Sequence, residues 1–279
     1  GNPQELVSAI KRGYLYQGQR YFWQSKGRGS STCHLQFENF VHFIQNHDQV
    51  ANSARGDRLH LLTTPGRYKA ATALLLLGPQ TPMIFQGQEF ASSSPFLYFA
   101  DLSLDIARLV RRGRIEFLMQ FSNLASPEII DLLDNPSEES TFIRSKLDVR
   151  ERETNFQIYS LYRDLLAIRK EDTVFSGRTR CFLDGAVLGQ DAFVIRFFGS
   201  DGDRLLIVNM GRDLRLRPVP EPLLGPPQGG EWEVQWSSEH PRYGGNGTPD
   251  LETDNFWRIP GHAAVVLRPA GSVPPGGNT

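Results

Sequence analysis

Short apolar runs that stop abruptly at polar clusters set the rhythm of this chain. Phe40-Val41-His42-Phe43-Ile44 reads as a strand, its aromatic and β-branched residues suiting a short segment buried on both faces. It ends at once in Gln45-Asn46-His47-Asp48-Gln49. Thr81-Pro82-Met83-Ile84-Phe85 repeats the pattern and ends in Gln86-Gly87-Gln88-Glu89. Between the two, Tyr68–Leu77 is rich in Ala and Leu, follows Pro65 and stops at Gly78-Pro79, which predicts a helix. Strand, helix and strand with polar strand ends form a βα repeat, and α/β barrels keep their active sites along that edge. Taken alone, Asp48 is equally readable as the cap of a following turn.

Around this repeat the pattern predicts a helix over residues 1–12, with Leu6, Ala9 and Ile10 on one stripe, and a loop over 13–34. The loop is dense in aromatics (Tyr14, Tyr16, Tyr21, Phe22 and Trp23), which either stack on sugar rings or pin the loop to the surface. In Val50–Leu62, Arg55, Asp57 and Arg58 are candidates to bind sugar hydroxyls or hold catalytic carboxylates, although surface ion pairs account more simply for the first two. A loop carrying Phe90, Phe96, Tyr98 and Phe99 follows the second strand. Residues 103–121 read as a helix, whole or interrupted at Gly113, with Ser103 as N-cap; Arg108, Arg111, Arg112 and Arg114 suggest an anion site or, more simply, a solvated face. Residues 122–150 read as irregular and acidic. Phe156–Lys170 is amphipathic, burying Ile158, Leu161, Tyr162, Leu165, Leu166 and Ile168, with Arg169 and Lys170 suiting its C-terminal dipole.

From about residue 173 the texture turns to short β-prone runs between Gly, Pro and Asp clusters: Ala192–Phe198, Arg204–Asn209, Glu231–Trp236 and Ala263–Leu267. The Pro- and Gly-rich stretch 218–230 reads as a loop and the last residues, GSVPPGGNT, as a disordered tail. The expected division is therefore 1–172, an α/β part, then 173–270, an antiparallel β-sandwich, then the tail 271–279.

Composition narrows the function classes. A net charge of −1 over 279 residues gives no footprint for nucleic acid or an anionic membrane. No apolar run approaches the roughly 20 residues that span a bilayer. Cys33 and Cys181 suggest no disulfide scaffold, and His34, His42, His47, His60, His240 and His262 show no zinc-ligand spacing. The expectation is a cytoplasmic protein with no cofactor and no metal.

FVHFIQNHDQ followed by a helix and TPMIFQGQEF resembles the last catalytic motif and final barrel strand of the α-amylase family of glycoside hydrolases. Further phrases are Gly13–Gln19 (GYLYQGQ), Ser94–Phe99 (SPFLYF), Ser145-Lys146-Leu147 and Ser237–Gly245 (SSEHPRYGG), and together they are most similar to the trehalohydrolase branch of that family. The resemblance implies the last two strands and helices of a (β/α)8 TIM barrel followed by a small antiparallel β-sandwich. It implies a retaining enzyme that cuts the α-1,4 bond beside the terminal trehalose of a malto-oligosaccharide. Asp48 would be the transition-state stabiliser, with His47, Asn46, Gln49, Arg58, Glu89, Phe90, Phe96 and Tyr98 binding substrate. The family's nucleophile Asp and acid Glu lie on earlier strands, so the chain reads as the C-terminal portion of a longer enzyme, inactive and aggregation-prone alone, whose partner is the missing N-terminal part. Two alternatives remain open: another α-amylase-family enzyme, such as a branching enzyme or an amylase, or a non-catalytic glucan-binding module built on Trp232, Trp236, Trp257 and Tyr243. Core packing is the plainer account of those four rings.

Overall fold

The structure is a computed structural model describing residues 2–121, 133–176, 183–227, 230–253 and 256–271. The chain forms two compact units, one of residues 1–42, 65–83 and 160–279 and the other of residues 43–64 and 84–159.

In the first unit, helix α1 (Pro3–Arg12) starts at Asn2, whose side chain accepts from the Glu5 amide while Glu5 reaches back to the Asn2 amide. It ends at Gly13 with φ +78°, where a Cβ would fall 2.3 Å from the Phe40 ring. Val7 and Ile10 form its buried stripe, and Leu6 is exposed. The segment expected as a loop instead contains a hairpin, β1 (Gln17–Tyr21) and β2 (Lys26–Gly29). Its strands bury almost nothing, so no apolar alternation announced them. They are ordered by a ladder of rings, Tyr14 on Tyr16 and Tyr16 on Tyr21, edge to face at 5.9 and 5.1 Å, with the Arg28 guanidinium over Tyr16 and Tyr21.

The βαβ unit is present. β3 (Val41–His42) runs parallel to β4 (Thr81–Pro82), joined in part through α4 (Pro65–Leu77). Both strands are shorter than expected, and Val41 is 56% exposed, so β3 is not buried on both faces. The reason is lateral: among the described residues β3 pairs with β4 alone. The His42 ring lies 2.9 Å from the Gly13 carbonyl, and its burial lowers its pKa. By contrast, α4 is buried nearly all round. Its Tyr68 and Thr72 hydroxyls meet the Tyr162 hydroxyl of α8 (Phe156–Glu171) at 3.1 and 3.2 Å. Arg169 of α8 is buried and donates to the carbonyls of Leu76, Gly78 and Gln80, serving the C-terminus of α4 rather than that of its own helix.

The β-sandwich follows α9 (Thr173–Ser176). Its strands are β5 (Leu183–Gly189), β6 (Ala192–Phe197), β7 (Arg204–Asn209), β8 (Leu214–Leu216), β9 (Trp232–Ser237), β10 (Glu252–Thr253), β11 (Phe256–Ile259) and β12 (Ala263–Pro269). One antiparallel sheet has the order β5-β6-β7-β12-β9 and the other β10-β11-β8. Val194, Leu205, Ile207, Val265 and Leu267 of the larger sheet meet Trp257 and Ile259 of the smaller in one core. The other face of the larger sheet is covered by α1 against β5 and β6 and by α4 against β7 and β12. Burial on both sides explains why β6 and β7 read as continuous apolar runs. The helices that cover this sheet make the unit cross the division expected at 172/173. Trp236, Trp257 and Tyr243 are core residues, and the indole of Trp232 donates to the Leu224 carbonyl, so they present no ring platform.

The second unit contains α2 (His47–Ala51), α3 (Leu59–Leu62), α5 (Leu104–Met119), α6 (Glu139–Arg144) and α7 (Glu151–Thr154). α5 runs unbroken through Gly113, and Ser103 occupies its N-cap position without a side-chain capping bond. α6 lies in a stretch expected to be irregular; residues 122–132 of that stretch, like Cys181 and residues 272–279 of the tail, lie outside the described residues.

Candidate functional site

The polar cluster after β3 folds as a capped turn. Asn46 is extended, and its Oδ1 accepts from the Gln49 amide at 2.8 Å, so it is the N-cap of α2. Asp48 therefore does not cap; it sits in the first turn with His47. Their side chains are 74% and 67% exposed, and His47 Nε2 lies 3.4 Å from Asp48 Oδ1. The Asp48 carboxylate has no other partner among the described residues. Gln49 is exposed beside them, while Val50 and Ala51 are buried and seat the turn.

The rest of the unit fixes this turn in place. The side chain of Gln45 is buried and its Oε1 accepts from the Leu59 amide at 2.8 Å. Gly56, at φ +67°, lets the chain pass so close to Phe96 that a Cβ would fall 2.7 Å from the Phe96 carbonyl oxygen. The Phe96 amide donates to the Gly56 carbonyl at 3.0 Å. Arg58 was expected to bind substrate, but its side chain has no exposed surface. It donates to the carbonyls of Ser94 and Gln86, both at 2.7 Å, and lies over the Phe85 ring. These bonds tie the segment after the turn to Gln86 and Ser94.

The second polar terminus turns at Gly87, φ +80°. Gln88 is buried and accepts from the Phe85 amide. Glu89 is half-buried, and its buried Oε2 meets no donor among the described residues. Such an atom carries an unmet hydrogen-bonding demand. Phe90, expected to touch substrate, is instead a core residue, 2% exposed. Phe96 is half-buried between Phe85 and Phe99, edge to face at 5.0 and 5.7 Å. Tyr98 is at the surface, with the Arg114 guanidinium 4.8 Å from its ring centre. The loop bearing these rings is tied down by Glu151, which accepts from the Ser92 hydroxyl and the Ser93 amide, and by Asn155, which donates to the Phe90 carbonyl.

The sequence reading missed Arg114, Glu151 and Asn155. Arg114 belongs to a run of arginines whose pattern suits a solvated face, and Arg108, Arg111 and Arg112 are exposed. A signal was present: Arg114 lies seven positions after Ala107 and four before Leu118, the two buried residues of α5. For Glu151 and Asn155 no local pattern existed. Among the described residues no helix is long and apolar enough to cross a membrane, and no group of three or more His, Cys, Asp or Glu side chains is placed to hold a metal ion.

Comparison with known proteins adds names to this geometry. Residues 181–266 match a family model described as a domain of unknown function, DUF3459. The malto-oligosyltrehalose trehalohydrolase of Deinococcus radiodurans is 40% identical over 77% of this chain and 36% of its own length. That of Saccharolobus solfataricus is 36% identical over 61% of the chain and 28% of its own length. The chain thus spans about a third of the curated relatives it matches. A crystal structure of a Salmonella typhimurium protein assigned to the α-amylases superposes with a TM-score of 0.75 at 26% identity, covering 95% of this chain and 41% of that one. The trehalose-6-phosphate hydrolase of Bacillus licheniformis shares the fold at a TM-score of 0.51 and 19% identity, over 82% of this chain and 43% of its own. The sequence phrases and these matches agree: the chain is similar to the C-terminal part of the malto-oligosyltrehalose trehalohydrolases, within the α-amylase family.

Proposed function

We propose that this sequence works as part of a retaining glycoside hydrolase that cuts the α-1,4 bond beside the terminal trehalose of malto-oligosyltrehalose and releases trehalose. The observation that carries the reading is the capped turn itself: an exposed Asp48 that has no partner but His47 among the described residues, in the turn that follows β3 in the chain. In this reading β3 and β4 are the last two strands of a (β/α)8 barrel, residues 1–172 belong to the barrel domain and 173–270 to the sandwich.

Glycoside hydrolysis of this kind uses a carboxylate nucleophile and a carboxylic acid around an oxocarbenium-like transition state. Both would come from the remainder of the enzyme. Asp48 would accept hydrogen bonds from the 2- and 3-hydroxyls of the reacting sugar, bonds that strengthen as the ring flattens and charge develops. His47 would donate to a neighbouring hydroxyl. Asn46 holds the turn, and Gln49, exposed beside Asp48, would face the same sugar. Tyr98 and Phe96 would wall the cleft, Glu89 would meet a substrate or protein donor through its unmatched oxygen, and Arg58 and Phe90 would support the walls from beneath.

A second reading, another α-amylase-family activity, draws on the solved structures sharing the fold. Product analysis separates the two. The enzyme containing this sequence is given malto-oligosyltrehalose and maltopentaose side by side. Free trehalose from the first, with much slower cleavage of the second, is expected. Equal cleavage of both, or transfer to branched products, would sink the trehalohydrolase assignment.

A further inference from the structure

We infer that Arg114 is a positioning residue that fixes the turn carrying Asp48, and that Tyr98 in turn fixes Arg114. The inference rests on the assignment of Asp48 made above. α2 is only five residues long, too short to hold its shape by its own hydrogen bonds. Its first turn is satisfied by Asn46. Its C-terminal end needs donors for the carbonyls that have no partner within the helix. Asn52 and Ser53 meet the Asp48 and Val50 carbonyls, and Arg114, reaching across from α5, meets that of Ala51 and ties down the two residues beyond it. Its Nη2 donates to the Ala51 carbonyl at 2.6 Å and the Ser53 carbonyl at 3.4 Å, and its Nη1 to Asn52 Oδ1 at 3.1 Å.

Three features set this guanidinium apart. It is half-buried, whereas Arg108, Arg111 and Arg112 of the same helix point into solvent. Its planar fork spans three consecutive residues of the turn, and a cation at a helix C-terminus is favoured by the backbone dipoles. Its outer face is covered by the Tyr98 ring at 4.8 Å, which limits its rotation and stacks favourably on the cation. α5 otherwise leaves Leu104, Ile106 and Leu109 exposed, so the bonds of Arg114 are a specific tie between this helix and the turn.

Asp48 is held at one end of the turn by Asn46 and at the other by Arg114. Without the second tie, the carboxylate still binds a sugar hydroxyl but no longer stays in the geometry the transition state requires. Such a loss falls on kcat more than on KM.

The test is a double-mutant cycle in the full-length enzyme, scored on steady-state trehalose release. Arg114→Gln should lower kcat by about 10- to 100-fold with KM changed by less than about threefold. Arg114→Lys, which keeps the charge but loses the fork, should recover part of that loss. In the Asp48→Asn background, Arg114→Gln should change the residual kcat by less than about twofold, because a residue acting through Asp48 has nothing left to position. A kcat unaffected by Arg114→Gln, or the same fold-loss in both backgrounds, overturns the inference. If Arg114→Gln fails to fold, the Arg114→Lys arm of the cycle decides on the same criteria. An Asp48→Asn enzyme with native kcat removes the underlying assignment; an inactive Asp48→Asn enzyme beside a fully active Arg114→Gln enzyme removes this inference alone.

Discussion

Asn46 and Asp48 are two positions apart and do opposite jobs. Asn46 spends its side chain on the backbone, accepting from the Gln49 amide, and so frees Asp48 from capping. Asp48 keeps an exposed carboxylate whose only partner among the described residues is a neighbouring imidazole. In the sandwich unit the opposite arrangement holds at Tyr243. Its phenol is buried, donates to Asp164 at 2.7 Å and accepts from the Trp236 indole at 3.2 Å. Burial, reinforced by the hydrogen bond to Asp164, pushes its pKa up to about 12. A folded pKa above the unfolded value means that the stabilisation is fully present below the unfolded pKa, about 10, and is lost as pH rises through the folded value. Following phenolate absorbance during alkaline titration should therefore show a late-ionising component that is missing in Tyr243→Phe. A titration of Tyr243→Phe that keeps the late component in full would contradict the burial and bonding described.

At the scale of elements, α4 was legible as an Ala- and Leu-rich run between Pro65 and Gly78-Pro79, α8 because apolar residues recur along it at helical spacing, and β6, β7, β9 and β12 because they are β-prone runs between turn residues. The hairpin of β1 and β2 was not legible: its strands are polar and held by tyrosine rings and Arg28. β8 and β11 are short, and only their partners in the opposite sheet show which face is inward. β3 and β4 were read too long, because Phe43 and Ile84 continue the apolar run after the pairing has ended. Arg169 shows how an element depends on a residue outside it. Sequence placed Arg169 at the end of α8 as a dipole match, whereas its fork satisfies the carbonyls that end α4. Replacing it with Met leaves those buried acceptors unmet. Arg169→Met should destabilise the protein by on the order of 3 kcal/mol or more, read as a lower denaturation midpoint with unchanged slope. A loss under about 0.5 kcal/mol, the size of a surface substitution, would contradict the role given to it.

At the scale of the whole molecule, each unit brings something different. The first buries one large sheet on both faces, between the smaller sheet on one side and α1 and α4 on the other. The second is built from helices and loops pinned by Arg58, Arg114, Glu151 and Asn155, and it carries all the residues proposed to meet substrate. The family phrases were readable in sequence because they are local strings. The props beneath them were not, because they are contributed from distant parts of the chain. The most direct test of the account is kcat for trehalose release by the full-length enzyme carrying Asp48→Asn. A fall of about a thousandfold or more, with KM within a few-fold of native and the fold intact, is the predicted result for a group that binds the transition state better than the substrate. A native kcat would mean that the exposed carboxylate of the capped turn takes no part in the chemistry.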